Sequence, residues 1–414
     1  MSRLLEGVKV VEFGILFNGD TLGMLLGDLG AEIVKVEHPR YGDYLREMHG
    51  HLAPNWSPTH IQANKNKRSI GLDVRVPEGR ELFFRLIEDA DVFVDGLSTG
   101  ACDRMGIGYV AQRARNPRII YCQHSGFGTT GPYAALPTHG VMPVAIAGGK
   151  PVAMGDDGLV HPSRSYDLLG GTTLAGEATT VGSVYAAMHI GAALHWRHGS
   201  GRGIRIDVAS SDAALASALV GLSVNLNRDR LVDHDGMPAS DGIEWRGAKY
   251  QYYQTRDGRY VLFACMERKF WVAFCRAIGR PDLDGGGDAA PHFDYGEDDG
   301  TLRREVQRIF HGRTLDEWMA LAVANDLPLG PCHNSVAEVA SDPQFGAREI
   351  FHAARHPAVG EFTYIGQPAI VDGQPFEVRR PAPAHGEHTR EILLGLGVAD
   401  SDIARLVREG VAGP

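Results

Sequence analysis

No stretch of the 414 residues approaches the roughly 18 consecutive apolar residues that a membrane-spanning helix requires. The N-terminal MSRLLEGVKVVEFG also lacks the long apolar segment of a secretory signal, so a soluble cytoplasmic protein is expected. Positive charge is in deficit, with 41 Lys and Arg against 51 Asp and Glu, a net charge of −10. Neutralising polyphosphate needs a basic surface, so this balance argues against a dedicated nucleic-acid binder. It leaves room for a local basic patch facing a small phosphorylated ligand. Cysteine is rare. Cys102, Cys122, Cys265, Cys275 and Cys332 form an odd, widely spaced set without CxxC, which fits reduced thiols rather than a disulfide framework.

Histidine is plentiful at 18 residues, yet none pairs with a carboxylate or cysteine at zinc-like spacing, and no metal is expected. His189, His195 and His198 share a helical stretch with Ala and Trp, where satisfied or surface histidines account for them, and His49 and His51 fall in a solvated loop. GFGTTG (Gly126 to Gly131) satisfies G-x-G-x-x-G after a strand, but Pro132 and YAALP follow where a dinucleotide site needs a helix. There is no Walker motif.

What is present is alternation. VKVVEFG, AEIVKVEHP, DVFVDGL and NPRIIYCQHSG read as strands, separated by helices at TLGMLLGDLG and PEGRELFFRLIEDA. Strand–helix–strand at this spacing predicts right-handed crossovers and a parallel sheet, hence an α/β fold with ligands at the carboxyl ends of the strands. The turns concerned are GILFNGD, EHPRYGD and GLSTGACDRMG. The length exceeds one typical core. Residues 1–224 read as the first part of a large domain. Residues 225–326 read as a smaller α+β domain, with a hairpin turning at Asp257–Gly258 and an amphipathic helix in ERKFWVAFCRAIG. Residues 327–414 read as a return to the large domain. NKNKRSIGLDVR (Asn64 to Arg75) concentrates basic residues, and two readings stand level: a solvated charged loop or a phosphate clamp.

Six stretches in order, LLEGVKVVEFG, LLGDLGAEIVKVEHPRYGD, NKNKRSIGLDVRVPEGRELF, DRMGIGYVAQRARNPRIIYC, SGFGTTGPYA and GSGRGIRIDVASSDAALA, resemble the family III CoA-transferases of the CaiB/BaiF type. That group includes formyl-CoA and carnitine CoA-transferases and the 2-methylacyl-CoA racemases. The resemblance implies a Rossmann-like large domain, a small central domain and an interlaced homodimer. It implies an acyl-CoA and a carboxylic acid acceptor as partners, and no cofactor beyond the CoA thioesters themselves. Carried over residue by residue, it implies CoA contacts at Leu16, Phe17 and Asn18, at His38 and Arg40, at Leu72 and Arg75, and at Leu97, Arg104 and Met105. DGLSTG departs from the family's usual Asn-Phe pair, and Gly96 loses that side-chain contact.

The family's nucleophile is an aspartate that carries first the acyl group and then CoA, splitting one hard exchange into reversible steps. Counting back from SGRG places it at Thr179, which cannot serve; counting forward from GFG arrives two residues beyond Asp167. Asp167 is the first candidate and Glu177 the second, and a third reading is that neither reacts. LPTHGVM puts His139, and CMERKFW puts Glu267, where the racemases have a histidine and a glutamate. A base on each face of an α-carbon is what racemisation needs. The plain alternatives are a polar turn residue at His139 and a helix-opening charge at Glu267. CoA transfer leads; racemisation, with His139 and a carboxylate, and a non-catalytic CoA-binding subunit are the alternatives.

Overall fold

The computed structural model describes residues 3–149, 152–162, 178–232, 247–285, 292–296 and 300–413. The chain divides into two units, Met1–Arg228 with Ala347–Pro414, and Asp229–Gly346.

In the first unit, strands β1 (Lys9–Gly14), β2 (Glu32–Glu37), β3 (Lys67–Gly71), β4 (Val92–Gly96) and β5 (Ile120–Ser125) precede a short exposed hairpin, β6 (Val152–Met154) and β7 (Val160–Pro162), and then β8 (Arg205–Ala209). Six of these form one parallel sheet in the order β3-β2-β1-β4-β5-β8. Helices α1 (Phe17–Asp28), α2 (Pro58–Asn64), α3 (Pro77–Glu88), α4 (Ala101–Arg104), α5 (Tyr109–Arg115), α6 (Met142–Ile146), α7 (Ala178–Ser200) and α8 (Ser210–Ser217) run between and after the strands. One apolar layer joins Leu22 and Leu26 of α1, Ala186, Ile190 and Leu194 of α7, and Val10, Ile33, Val92 and Ile120 of the sheet. The opposite layer packs Leu82, Phe83 and Ile87 of α3 and the C-terminal Ile392, Leu393, Ile403 and Leu406 against Val11, Val34 and Phe93. Covering both faces explains why the strands read as near-continuous apolar runs. The expected α/β class and parallel sheet are present.

Charge interrupts those runs. Glu12 on β1 pairs in register with Lys35 on β2, and Lys35 pairs with Ser69 on β3, two residues beyond Lys67. With side chains alternating along each strand, Glu12, Lys35 and Lys67 share the face under α1. All three are fully buried. Lys35 Nζ lies 2.7 Å from Asp43 and 3.4 Å from Glu12, and in contact with Asp20 of α1. Lys67 Nζ lies 2.7 Å from Glu12 and donates to the Asp20 carbonyl. Room for this cluster depends on Gly23, where a Cβ would come within 1.7 Å of Glu12 Oε2. Lys65 is also fully buried, paired with Asp28 at 3.0 Å. The basic run is therefore neither a solvated loop nor, at its lysines, a phosphate clamp. Strand pairing of β3 turns Lys67 inward, and buried acids hold it and Lys65 there.

The second unit carries an antiparallel sheet, β9 (Tyr250–Gln254), β10 (Tyr260–Ala264) and β11 (Leu329–Cys332), in the order β11-β10-β9. Its hairpin turns through Asp257 and Gly258, the glycine at φ 75. Helices Arg268–Ala277, Gly300–Phe310 and Leu315–Asn325 enclose an aromatic core of Phe263, Trp271, Phe274, Phe310 and Trp318. The chain leaves this unit at Gly346 rather than at Leu327. LGPC falls in the segment read as the return to the large domain, but it supplies the edge strand of this sheet, where Pro331 opposite Val261 is tolerated. Residues 347–414 then add the hairpin β12 (Phe351–His356) and β13 (Gly360–Ile365) and the two C-terminal helices.

Replacing one partner of the buried cluster leaves the others uncompensated, and that is costly. Lys35→Met is expected to lower unfolding stability by about 3–5 kcal/mol, read from the urea midpoint. A midpoint within error of the parent's would show that the cluster contributes nothing.

Candidate active site

The sheet order reverses between β1 and β4: β2 and β3 lie on one side, β5 and β8 on the other. Crevices outside the carboxyl ends of strands form at such a switch point. Here three glycines bring the backbone together. A Cβ on Gly96 would stand 2.5 Å from the Gly19 nitrogen, and one on Gly14 would stand 3.0 Å from the Gly19 Cα. A side chain at Gly96, such as the asparagine that the family resemblance leads one to expect there, has no room in this arrangement, which gives the departure in DGLSTG a steric basis.

Two adjoining cavities occupy the crevice and share Ile15 and Leu97. The first is lined by Phe13, Val36, Leu72, Val74 and Met105, with His38, Asp73 and Arg75 at its polar side. Arg75 Nη2 contacts both Asp73, at 2.8 Å, and the His38 ring. Burial first, and then the Arg75 charge, push the His38 imidazole below its usual range, so it is neutral near pH 7. The second cavity is lined by Leu16, Phe17, Asn18, Tyr44, Thr99, Ser125, Phe127, His139 and Thr179. The structure thus gathers His38, Leu72, Arg75, Leu97 and Met105 around one cavity and Leu16, Phe17, Asn18 and His139 around the other. Arg40 and Arg104 line neither. Arg40 lies over the Tyr41 ring, and Arg104 Nη1 donates to the carbonyl of Thr99 at 3.4 Å.

Asp167 and Glu177 lie outside the described residues. Thr179 does not: it stands in the first turn of α7 and faces the second cavity. His139 is exposed at the cavity rim. Glu267, in the second unit, is the N-cap of Arg268–Ala277, without a side-chain capping bond. GFGTTG turns after β5 with Gly128 and Gly131 at positive φ, and the chain runs on without a helix until Met142. His189, His195 and His198 are exposed on α7, and His49 and His51 on a loop.

Two supporting residues escaped the sequence reading. His124 on β5 is fully buried; its Nδ1 lies 3.0 Å from the Asn18 carbonyl and its Nε2 3.1 Å from the Ser210 hydroxyl. Gly182 lets α7 approach this ring, since a Cβ would come within 2.4 Å of Nε2. Ser183 lies 3.4 Å from Nδ1 and donates to the Thr179 carbonyl at 3.0 Å. His124 therefore ties the start of α1 to the start of α7. Asp43 is the other. It sits at the end of EHPRYGD, a turn the sequence did mark, but the Leu16 N–H it accepts from lies 27 residues earlier.

A cleft cut into the carboxyl edge of a parallel sheet at its switch point, largely apolar and with His38, Asp73 and Arg75 at its polar side, marks an α/β protein of the class that places ligands in such crevices. Comparison narrows this. Residues 5–389 match the family described as CoA-transferase family III. A formyl-CoA:oxalate CoA-transferase of Rhodopseudomonas palustris is 28% identical, with 100% of this chain and 98% of the relative covered. A succinyl-CoA–D-citramalate CoA-transferase of Chloroflexus aurantiacus is 29% identical over 98% of this chain and 97% of its own. A CaiB/BaiF family protein from Brucella suis superposes with a TM-score of 0.71 at 26% identity, covering 96% of this chain and 100% of that one. The chain belongs to CoA-transferase family III and is an enzyme of that family. Among the described residues no helix is long and apolar enough to cross a membrane.

Burial pushes the His124 imidazole down to about 4, against the opposing pull of the Asn18 carbonyl. The unfolded chain protonates this histidine near pH 6.5, whereas the folded chain resists until about pH 4. Its contribution is fully present above pH 6.5 and is lost as pH falls toward 4, amounting to about 3 kcal/mol. His124→Gln is expected to flatten urea stability between those two pH values. An unchanged slope would mean that His124 does not set it.

Proposed function

We propose that the chain moves CoA from an acyl-CoA thioester to a carboxylic acid through intermediates carried on Asp167. The carrying observation is the paired cleft, which brings eight of the ten residues implied for CoA contact around two adjoining cavities and ends at the first turn of α7. The names of the relatives support the substrate classes, an acyl-CoA and a carboxylate. In this reading the cavity beside His38 and Arg75 takes the nucleotide end, with Arg40 and Arg104 at the margin as further cations for phosphate. The thioester end lies beside Leu16, Phe17 and Asn18. There the first N–H groups of α1 have no intrahelical acceptor and suit a developing oxyanion.

The steps balance without a further cofactor. The Asp167 carboxylate adds to the acyl carbonyl and expels CoA thiolate, leaving a mixed anhydride. The thiolate attacks the aspartyl carbonyl, releasing the donor acid and leaving an aspartyl-CoA thioester. The acceptor carboxylate displaces the thiolate from this thioester, giving a new anhydride. The thiolate finally takes the acceptor acyl group and frees Asp167. We place the reaction in the cytoplasm, in a homodimer. Val184 and Met188, one turn apart on α7 and both exposed, are suited to cover by a second copy. A non-catalytic binding role finds no support in the relatives, which are named as transferases.

His139 at the rim of the same cavity favours one second reading, racemisation of a 2-methylacyl-CoA. That reaction must break the α-carbon–hydrogen bond, which transfer leaves intact. In D2O a 2-methylacyl-CoA is expected to gain little α-deuterium, as seen by mass spectrometry. Full exchange that disappears in His139→Ala would reverse the assignment.

Acyl-CoA and hydroxylamine together are expected to convert the reactive carboxylate to a hydroxamate on the peptide containing Asp167. Asp167→Ala should lower transfer on the order of a thousandfold or more. Labelling at Glu177, or an active Asp167→Ala with no labelled peptide, would refute the assignment.

A further inference from the structure

Leu16 ends the turn between β1 and α1 with φ 63 and ψ −157. Only glycine adopts that region freely, and a leucine stays there only where its surroundings hold it. Its N–H precedes the helix, so the α1 ladder offers it no partner. Both oxygens of Asp43 accept from it, at 3.2 and 3.1 Å. The same carboxylate accepts from the Leu45 N–H at 2.9 Å and from Lys35 Nζ at 2.7 Å. Asp43 donates its own N–H to Glu37 Oε1 at 3.1 Å. It is 1% exposed and lines neither cavity. Leu16 and the Phe17 that follows it on one side, and Tyr44, the residue before Leu45, on the other, border the second cavity.

We propose that Asp43 is a positioning residue: anchored by Lys35, its carboxylate holds the strained Leu16 turn so that the first turn of α1 faces the bound thioester. This rests on the reading that CoA occupies the cleft. An amide at position 43 could not substitute. It has one acceptor oxygen for the work of two, and its NH2 would face the Leu16 N–H together with either the Lys35 ammonium or the Leu45 N–H.

The test is a double-mutant cycle with glycine at the strained position. Free CoA is titrated by calorimetry into the parent, Asp43→Asn, Leu16→Gly and the double variant. Asp43→Asn is expected to weaken CoA about tenfold or more on its own, but about threefold or less beside Leu16→Gly, because glycine takes the turn unaided. Equal losses in both backgrounds would overturn the proposal. A merely stabilising role for Asp43 would give that equality. Hydrogen exchange on the CoA-free protein provides a readout without ligand: the peptide from Phe13 to Asp20 should exchange faster in Asp43→Asn. Unchanged exchange there would also overturn it. If Asp43→Asn does not fold, Asp43→Glu keeps a charge for Lys35 while displacing the oxygens by a methylene, and the same two measurements apply. A parent chain that binds no CoA would remove the cleft reading, while the exchange experiment would still decide whether Asp43 holds the turn.

Discussion

The Lys35 ammonium, buried among Glu12, Asp20 and Asp43, is the constraint on which the large unit depends. It joins β1, β2, α1 and the turn after β2 at one point. Burial alone would lower its pKa, but the surrounding carboxylates outweigh that and hold it well above the usual lysine range. A buried charge left unpaired is far more costly than one that is paired, so the cluster penalises any other packing of these elements. Around it the chain makes allowances. Gly23 leaves space beside Glu12, and Asn64 donates to the second oxygen of Asp20. Such a cluster adds little stability compared with an apolar core of equal volume. It does fix where α1 begins, and α1 begins at the cleft.

The cleft's shape follows from that fixed start together with the close approach of Gly14, Gly19 and Gly96. Side chains at these positions would push α1 away from the sheet edge and carry Phe17 and Asn18 with it. His124 secures the other wall by linking the Asn18 carbonyl to Ser210 and, through Ser183, to the first turn of α7. Walls set by buried polar contacts keep a fixed shape whether or not the cleft is occupied.

Much of the fold was legible because local pattern and tertiary outcome agree. Parallel strands covered on both faces must be apolar throughout, and VKVVEFG and DVFVDGL carry that mark wherever they occur. The Asp257–Gly258 hairpin and the amphipathic ERKFWVAFCRAIG are similarly local. LGPC was not legible as part of the small unit's sheet, since four residues with a proline have no period of their own; its place is set by lying along β10. The basic run misled for a related reason. A lysine on an exposed loop and one buried beside a carboxylate look identical in sequence, and the partners of Lys67, Glu12 and Asp20, lie about fifty residues earlier.

Sequence by itself determined the α/β class, the parallel sheet, the strand-end turns that would form the site and, through six ordered motifs, the family. These rest on periodicities and spacings within a few tens of residues, which survive without knowledge of what lies opposite. Tertiary structure alone decided which of the carried-over residues share a cavity, that Arg40 and Arg104 stand outside both, and that Lys65 and Lys67 face inward. It also decided that Asp43 and His124 brace the cleft. Those outcomes depend on burial and on partners brought together across the sheet, and burial is what converts an ordinary acid, lysine or histidine into a fixed point of the fold.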